Sequence, residues 1–253
     1  MKSVLSRISV SRLAGGVALA LGLAAAAQAA EKAPDLSGVW QFGQCVDGSR
    51  MSCMLLAEDD KRLTNRAKAL RDALDEAAAP KYDCAPMSIP HMWTDPYSHQ
   101  IQQYDDRVVF TYGKDDVVRT AWLKGHEKGH KPAKNEYSYF GFSFARYEGN
   151  TLIVETTHFS FDPQGLNADF RLASSTQKKV VEKYTRDGAD LILEVTTTDP
   201  FFLKEPWVYK VRSKRDPEPL ALPWGCDYEG ARDILKLMAP KYPQDPAVVR
   251  LPE

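Results

Sequence analysis

Short runs of alternating apolar and polar residues, separated by tight turns, occupy residues 98–214 and most constrain the fold. Alternation with a period of two is typical of half-buried β-strands, and Gly, Asn and Asp favour the turns of β-hairpins. Such turns stand between successive runs at residues 105–106, 113–115, 148–150 and 186–188. The pattern predicts an antiparallel up-and-down sheet, and closing that sheet into a β-barrel is the simplest way to remove its exposed edges.

Two helices and a further strand are predicted outside the hairpins. Apolar residues recur at helical spacing over residues 63–74, charged residues fill the other face, and Pro80 ends the pattern. Residues 229–239 predict a short C-terminal helix, and residues 35–42 predict a first strand. The predicted fold class is therefore mainly β, a barrel with an N-terminal helix and a short C-terminal helix.

The first thirty residues have the three parts of a secretory signal peptide. Basic residues precede an apolar run at residues 13–27, and the sequence AQA at residues 27–29 fits the small-x-small cleavage rule. Residues 1–30 are thus predicted to be removed during export. Residues 31–253 are predicted to form a single periplasmic domain, because no later apolar run is long enough to span a membrane.

The charge of the predicted mature chain argues against one class of partner. The signal peptide holds three of the 33 basic residues and none of the 34 acidic ones, so residues 31–253 carry 30 basic against 34 acidic residues. This balance, without a basic stripe interleaved with aromatic residues, excludes a general nucleic-acid binder.

The four cysteines are Cys45, Cys53, Cys84 and Cys226. An even number in an exported chain favours disulfides, for which three pairings are possible. Cys45 and Cys53 flank a short polar loop, so a local bridge is expected there, which would pair Cys84 with Cys226. The alternative is a zinc site, but the chain lacks the C-x-x-C spacing typical of one, and no metal is predicted.

Several motifs carry a resemblance to known proteins. Gly38 and Trp40 resemble the G-x-W opening of lipocalin-like barrels, in which the Trp closes one end. The motif order resembles that of a large group of secreted bacterial proteins that begin with D-L-S-G-x-W. The matching motifs are DLSGVW at 35–40, CAP at 84–86, Arg119, GHEKGHKP at 125–132 and GFSFARYEGNTLIVET at 141–156. A last match is the order T-x-D-P, P-W and C between Thr197 and Cys226. The resemblance covers most of residues 31–253 and implies a lipocalin-like barrel without an agreed activity. In that group the position of Glu155 is usually acidic and that of His158 is usually glycine.

Glu155 is the first candidate catalytic residue. Because side chains alternate along a strand, Glu155 shares a face with Ile153, Thr157 and Phe159, while His158 points the other way. If Glu155 faced the barrel interior, burial would raise its pKa and suit it to act as a general base, with Arg119 as the counter-charge. The alternatives are an exposed Glu155 on a solvated face and an Arg119 that forms a purely structural ion pair.

The histidines offer acid-base groups rather than a metal site. All five lie between His91 and His158. His126 and His130 have H-x₃-H spacing, but Gly125 and Gly129 interrupt the helix that such a metal site needs. His130 and His91 are therefore interpreted as acid-base or ligand-contacting groups, with ordinary loop histidines as the alternative.

Aromatic residues suggest a cavity wall. Tyr137 and Tyr139 share a predicted strand face with Gly141 and Ser143, and Ser143 lies in an aromatic strand rather than in the strand-to-helix turn of a serine hydrolase. The alternative is a barrel filled by its own side chains.

These observations leave three hypotheses open. The first is an exported barrel that acts on a small hydrophobic or aromatic molecule by cofactor-free isomerase or lyase chemistry, with Glu155, His130, Tyr139 and Arg119 as catalytic residues. Ligand contacts are predicted at Tyr137, Trp122, His91 and Trp207. The second is a non-catalytic carrier with the same cavity, and the third is an interaction protein with a filled core. No cofactor is predicted, and the sequence leaves the oligomeric state open.

Overall fold

The computed structural model describes residues 33–75, 77, 79–115, 117–169, 171–221 and 225–238. The predicted signal peptide lies outside these ranges. The strands are β1 Gly38–Trp40, β2 Gln44–Cys45, β3 His99–Gln103, β4 Arg107–Tyr112, β5 Val118–Leu123, β6 Phe142–Glu148, β7 Thr151–Thr157, β8 Asp162–Asn167, β9 Leu172–Ser174, β10 Lys179–Asp187, β11 Asp190–Thr198 and β12 Trp207–Ser213. The α-helices are α1 Asn65–Ala73 and α2 Tyr228–Met238, and short 3₁₀ turns span Ser52–Met54, Pro80–Asp83 and His91–Thr94.

Ten of the strands form one sheet in the order β1-β3-β4-β5-β6-β7-β10-β11-β12-β2, and β8 pairs with β9 separately. The four hairpins predicted from the turn residues are all present, as β3-β4, β4-β5, β6-β7 and β10-β11. One pairing departs from the predicted antiparallel order, because β5 and β6 run parallel, with Ala121 opposite Ser143. Residues 124–141 lie between these two strands and return the chain so that β6 runs alongside residues 121–123 of β5.

The two edges of the sheet meet, which closes it. β1 and β2 lie at opposite ends of the strand order but are separated by only residues 41–43 in the chain. Trp40 bridges to Arg215, and the backbone N–H groups of Gln41 and Asp216 donate to the carbonyls of Lys214 and Val39, both at 2.9 Å. The end of β1 thus hydrogen-bonds to the residues that follow β12, which closes the sheet. The predicted lipocalin-like β-barrel is confirmed.

Strand alternation shows which side chains face the interior. In β11, in β12 and in residues 179–184 of β10 every second residue is buried, and the residues between them are more exposed. The buried face includes Val180, Glu182, Tyr184, Leu193 and Trp207. The period of two read from the sequence therefore corresponds to an inner and an outer barrel face.

The helix α1 is shorter than the apolar spacing indicates. Thr64 caps it, because its hydroxyl accepts a hydrogen bond from the N–H of Ala67 at 3.1 Å. The helix ends at Ala73, since Leu74 is already extended. α1 packs against β9, outside the main sheet.

Both predicted disulfides are present. Cys45 is bonded to Cys53, and Cys84 is bonded to Cys226 across 142 residues of chain. Two disulfides indicate an oxidising, extracellular or periplasmic environment. Within the described ranges, neither helix is long and apolar enough to cross a membrane.

Residues 84–98, which we call the plug segment, pack against the inner face of the barrel. Ile89, His91, Met92 and Trp93 are all at least 94% buried. The Trp93 ring contacts the ring of Tyr112 at 5.1 Å between centroids, and Tyr112 belongs to the inner face of β4. The barrel interior is therefore occupied by part of the chain itself.

Candidate functional site

A charged pair lies at the centre of the barrel. The Nη1 atom of Arg119 lies 2.5 Å from Oε2 of Glu182, and its Nη2 atom lies 2.9 Å from Oε1. The Arg119 side chain is 4% exposed and that of Glu182 is fully buried. β5 and β10 are not neighbours in the sheet, so the pair spans the interior.

Hydrogen bonds from the surrounding side chains stabilise the carboxylate of Glu182. Its Oε1 atom accepts from Trp93 Nε1 at 2.9 Å and from the Tyr184 hydroxyl at 2.8 Å. Arg119 in turn donates to the Tyr112 hydroxyl at 3.1 Å. Burying an ion pair is tolerated when such additional bonds replace the lost hydration.

The ionisation of this centre is fixed by its surroundings. Burial alone would lower the pKa of Arg119, but the negative charge of Glu182 raises it well above its usual value. Burial raises the pKa values of Tyr112 and Tyr184, so both phenols stay protonated at neutral pH. The Arg119 guanidinium therefore stays protonated, and the two phenols beside it stay neutral hydrogen-bonding groups.

The space next to this centre is small. A cavity of about 30 Å³ lies where the plug segment covers the barrel, and its lining includes Met87, Met92, Trp93, His99 and Tyr112. Pockets for drug-sized ligands measure roughly 300–1,000 Å³. The interior cavity therefore has room for a water molecule or an ion, and the filled-core alternative describes the barrel interior.

A second buried polar cluster surrounds Lys178, which is 1% exposed. Its Nζ atom donates to the Ser88 hydroxyl at 3.1 Å and to the Ile89 carbonyl at 2.9 Å. Ser88 donates to Asp162 at 2.6 Å, and the pKa of Tyr139 is raised by burial and by its interaction with the same carboxylate. Burial lowers the pKa of Lys178 to about 8, against the opposing charges of Asp162 and Asp199.

The four candidate catalytic residues lie in separate places. Glu155 is on the outer face, where its oxygens bind Arg146 at 2.7 Å and Lys179 at 2.5 Å. Hydrogen bonds from Lys179 and Arg146 lower its pKa, which is the reverse of what an interior general base requires. The prediction that Arg119 is its counter-charge is wrong, because Arg119 points inward and pairs with Glu182.

His130 and Tyr139 are also apart from this centre. His130 stacks on Trp122 with 3.4 Å between the ring centroids, at the outer face of β5. Tyr139 belongs to the Lys178 cluster through Asp162. The structure therefore brings no two of the four candidate catalytic residues into contact, and their catalytic role stays a prediction.

The predicted ligand contacts lie in different surroundings. Tyr137 is 46% exposed, while Trp207 is 1% exposed and packs beside Tyr209. His91 is buried in the plug segment, where burial lowers its pKa to about 3. Trp122 is on the outer face. Their role as ligand contacts stays a prediction.

The prediction that Phe159 lies on the same strand face as Glu155 is wrong. β7 ends at Thr157, and His158 has a left-handed backbone with φ of 59°. The alternation therefore stops before Phe159, which is fully buried although Glu155 points outward. His158 lies at a turn position that favours glycine.

Glu182 and Lys178 are the site residues that the sequence analysis missed. A signal for Glu182 was present, because it alternates with Val180 and Tyr184 and must share their face. A carboxylate between two such apolar positions on a buried face needs a cationic partner, and Arg119 supplies it.

A groove outside the barrel has a volume of about 540 Å³. It lies between α1 and the turns around residues 175–177 and 200–202, and we call it the α1 groove. Its lining residues are Arg66, Ala69, Leu70, Ala73, Phe161, Ser175, Thr176, Gln177, Phe201 and Phe202. Phe161 is 49% exposed and Phe201 is 40% exposed, so two aromatic side chains stand open to solvent at its rim.

Comparisons with known proteins add no family. No protein-family model matches the chain, and no curated protein matches it significantly. A mutant of the fluorescent protein UnaG matches over 72% of this chain and 97% of its own, with 14% identity and a TM-score of 0.32. A secretory abundant heat soluble (SAHS) protein from Ramazzottius varieornatus matches over 74% of this chain and 99% of its own, with 11% identity and a TM-score of 0.27. Similarity at this level does not assign a function.

Proposed function

We propose that this protein is an exported binding protein that holds a small apolar molecule with a negatively charged end in the α1 groove. The observation that carries the proposal is the groove's volume of about 540 Å³ together with its aromatic and aliphatic walls. That size lies within the range of roughly 300–1,000 Å³ typical of small-molecule sites. The cavity between the plug segment and the barrel is far smaller, at about 30 Å³.

The lining of the groove fits an amphipathic ligand. Leu70, Phe161 and Phe202 provide apolar surface, while Thr176 and Gln177 provide hydrogen-bonding groups. Apolar walls with a few polar groups to orient the ligand are the usual composition of such sites.

Arg66 supports a carboxylate or sulfonate as the charged end. Its guanidinium lies over the Phe201 ring, 4.5 Å from the centroid, and no ion pair to it is formed among the described residues. A cation stacked on an aromatic ring is held in place at the rim of the groove, and guanidinium groups bind carboxylates through two parallel hydrogen bonds.

Export to the periplasm is part of the proposal. The signal-peptide pattern of residues 1–30 supports it, and the two disulfides fit an oxidising compartment. The resemblance to secreted proteins that begin with D-L-S-G-x-W agrees with this location. Isomerase or lyase chemistry has less support, since Glu155, His130, Tyr139 and Arg119 lie apart.

The groove can be tested with the fluorescent probe anilinonaphthalene sulfonate, which combines aromatic rings with one negative charge. We expect Arg66→Gln to weaken probe binding roughly tenfold, because about 1.4 kcal/mol is lost with a charge-assisted hydrogen bond. Phe161→Ala is expected to weaken it by a similar factor of about 10 through lost apolar contact. Fluorescence titration of the three proteins at constant ionic strength measures these changes.

Val208→Ala is the matched control, since Val208 is 50% exposed on β12 and does not line the groove. Native mass spectrometry of the protein isolated from its own cells should also show a retained small molecule that Phe161→Ala loses. Probe affinities that are equal in the wild type, Arg66→Gln and Phe161→Ala would overturn the assignment of the groove.

A further inference from the structure

We propose that the small cavity beneath the plug segment is a binding site for a monovalent soft metal ion, Cu(I), with His99, Met87 and Met92 as its ligands. This inference is independent of the α1 groove and concerns a different part of the molecule. It rests on the size of the cavity, on a buried imidazole nitrogen that has no partner, and on two thioethers that line the same space.

The cavity has the dimensions of an ion rather than of an organic molecule. Its volume is about 30 Å³, and its lining residues include Met87, Met92, Trp93 and His99. A space of this size accommodates one or two water-sized groups. Met92, Trp93 and His99 are at least 94% buried, so three of the four side chains lie out of bulk solvent.

His99 supplies an unused ligand atom. His99 is only 4% exposed, and its Nε2 atom is buried without a hydrogen-bond partner among the described residues. Buried polar atoms nearly always have a partner, and leaving one unpaired costs roughly 1–3 kcal/mol. A bound metal ion would satisfy this nitrogen, since neutral imidazole is a common metal ligand.

The ring of His99 is held in a fixed orientation. Trp93 packs against it edge to face with 4.8 Å between centroids, and Tyr112 stacks on it at 6.4 Å. Trp93 is itself fixed by the hydrogen bond from its Nε1 atom to Glu182. The indole ring therefore stands beside the proposed ion position, where a cation–π contact would add to the binding.

The donor set selects the metal. Thioethers are soft ligands that favour Cu(I), and they bind without losing a proton. All four cysteines are held in disulfides, so no thiolate competes for the ion in an oxidising compartment. The carboxylates at the outer part of the cavity, Asp95 and Asp115, are both paired with Lys114, at 3.3 and 3.5 Å. The hard ligands that Zn²⁺ or Mg²⁺ would need are thus engaged elsewhere.

Other groupings in the described residues do not offer the same combination. Cys45, Asp47 and Cys53 place their ligand atoms close together, but both sulfurs belong to one disulfide. His130 stacks on Trp122 at the outer barrel face. The cavity beneath the plug segment is therefore where we place the ion.

Binding at this position would tie the plug segment to the barrel. Met87 and Met92 belong to the plug segment, whereas His99 is the first residue of β3. An ion that bridges them binds the folded state and not the unfolded one, so it should raise the melting temperature with increasing metal concentration.

The experiment is a titration of the disulfide-intact protein with Cu(I) under ascorbate, without oxygen, in competition with the chromophoric chelator bicinchoninate. We expect one equivalent to bind and the tryptophan fluorescence to fall. His99→Phe, Met87→Leu and Met92→Leu keep the side-chain volume nearly unchanged, and each is expected to weaken binding roughly 100-fold, by analogy with the loss of other metal-site groups. Ag(I) serves as a redox-inert second probe with the same expected order of affinities.

Met51→Leu is the matched control, because Met51 is 38% exposed and does not line the cavity. Binding that is absent in the wild type, or that is unchanged in Met87→Leu and Met92→Leu, overturns the proposal. Tighter binding of Zn²⁺ than of Ag(I) overturns the assignment of a soft site. If His99→Phe does not fold, as judged by circular dichroism, the two methionine variants decide the outcome.

Discussion

Replacing Glu182 by leucine is expected to lower the free energy of unfolding by about 3–5 kcal/mol, the effect of removing one partner of a buried ion pair. The variant leaves the Arg119 guanidinium buried without its carboxylate, and Trp93 and Tyr184 lose the acceptor of their hydrogen bonds. Denaturation in guanidinium chloride, followed by circular dichroism, measures the loss.

Two further variants identify the cause of this loss. The double variant Arg119→Leu/Glu182→Leu removes both charges and is expected to recover much of the stability, because no unpaired charge remains in the interior. Glu155→Leu removes a carboxylate from the outer face, where salt bridges contribute about 0–1 kcal/mol. A Glu182→Leu variant that loses no more stability than Glu155→Leu would show that the interior pair is not buried as described.

Raising the pH from 8 to 10 is expected to increase the free energy of unfolding through Lys178. In the folded protein its pKa lies at about 8, below the usual value of 10.5, so over this range the unfolded chain binds the additional proton. Stability rises with pH wherever the unfolded state binds more protons, and one group contributes about 1.4 kcal/mol per pH unit. The expected gain is on the order of 2–3 kcal/mol over these two units, measured by urea denaturation at constant ionic strength.

Lys178→Met should remove this rise, since it has no proton to exchange. Lys179→Met is the neighbouring control, because Lys179 is on the outer face with a side chain 43% exposed, and its profile should match that of the wild type. Above pH 10 stability should fall in all three proteins, as burial raises the pKa values of Tyr112, Tyr184 and Tyr209 and the unfolded chain loses these protons first. Parallel profiles for the wild type and Lys178→Met between pH 8 and 10 would contradict the prediction.

Local patterns predicted the parts of the fold that depend on neighbouring residues. The hairpins followed from alternation and turn residues, as at residues 148–150, where β6 and β7 meet. The disulfide between Cys45 and Cys53 followed from their short spacing. Each of these features depends on residues that are close together in the chain, so the sequence of one short stretch is enough to predict it.

The features that the sequence did not predict depend on contacts between distant segments. The parallel pairing of β5 and β6 requires residues 124–141 to run back along the barrel, and no local pattern specifies their direction. Arg119 and Glu182 are 63 residues apart, so neither identifies the other. The filling of the interior by Trp93 depends on the path of an irregular segment without a repeating pattern.

This filling separates the barrel from the region that the proposed ligand would use. The aromatic residues suggested a cavity wall, with a barrel filled by its own side chains as the alternative, and Trp93 of the plug segment packs inside the barrel against Tyr112. The α1 groove is formed by residues that lie outside the ten-stranded sheet, including Leu70 and Phe161. Barrel closure and ligand binding are therefore assigned to different residues, and variants of the groove should leave the barrel folded.

The meeting of the first and last strands also sets the order in which the protein can be completed. The backbone N–H of Gln41 donates to Lys214, and the carbonyl of Val39 accepts from Asp216, some 175 residues later in the chain. Until those residues emerge during synthesis, the nascent sheet has two open edges, and open strand edges pair readily with other chains. Ring closure must therefore wait for residues 214–216, and a chain cut short before residue 214 would retain the aggregation-prone edges that the full-length protein conceals.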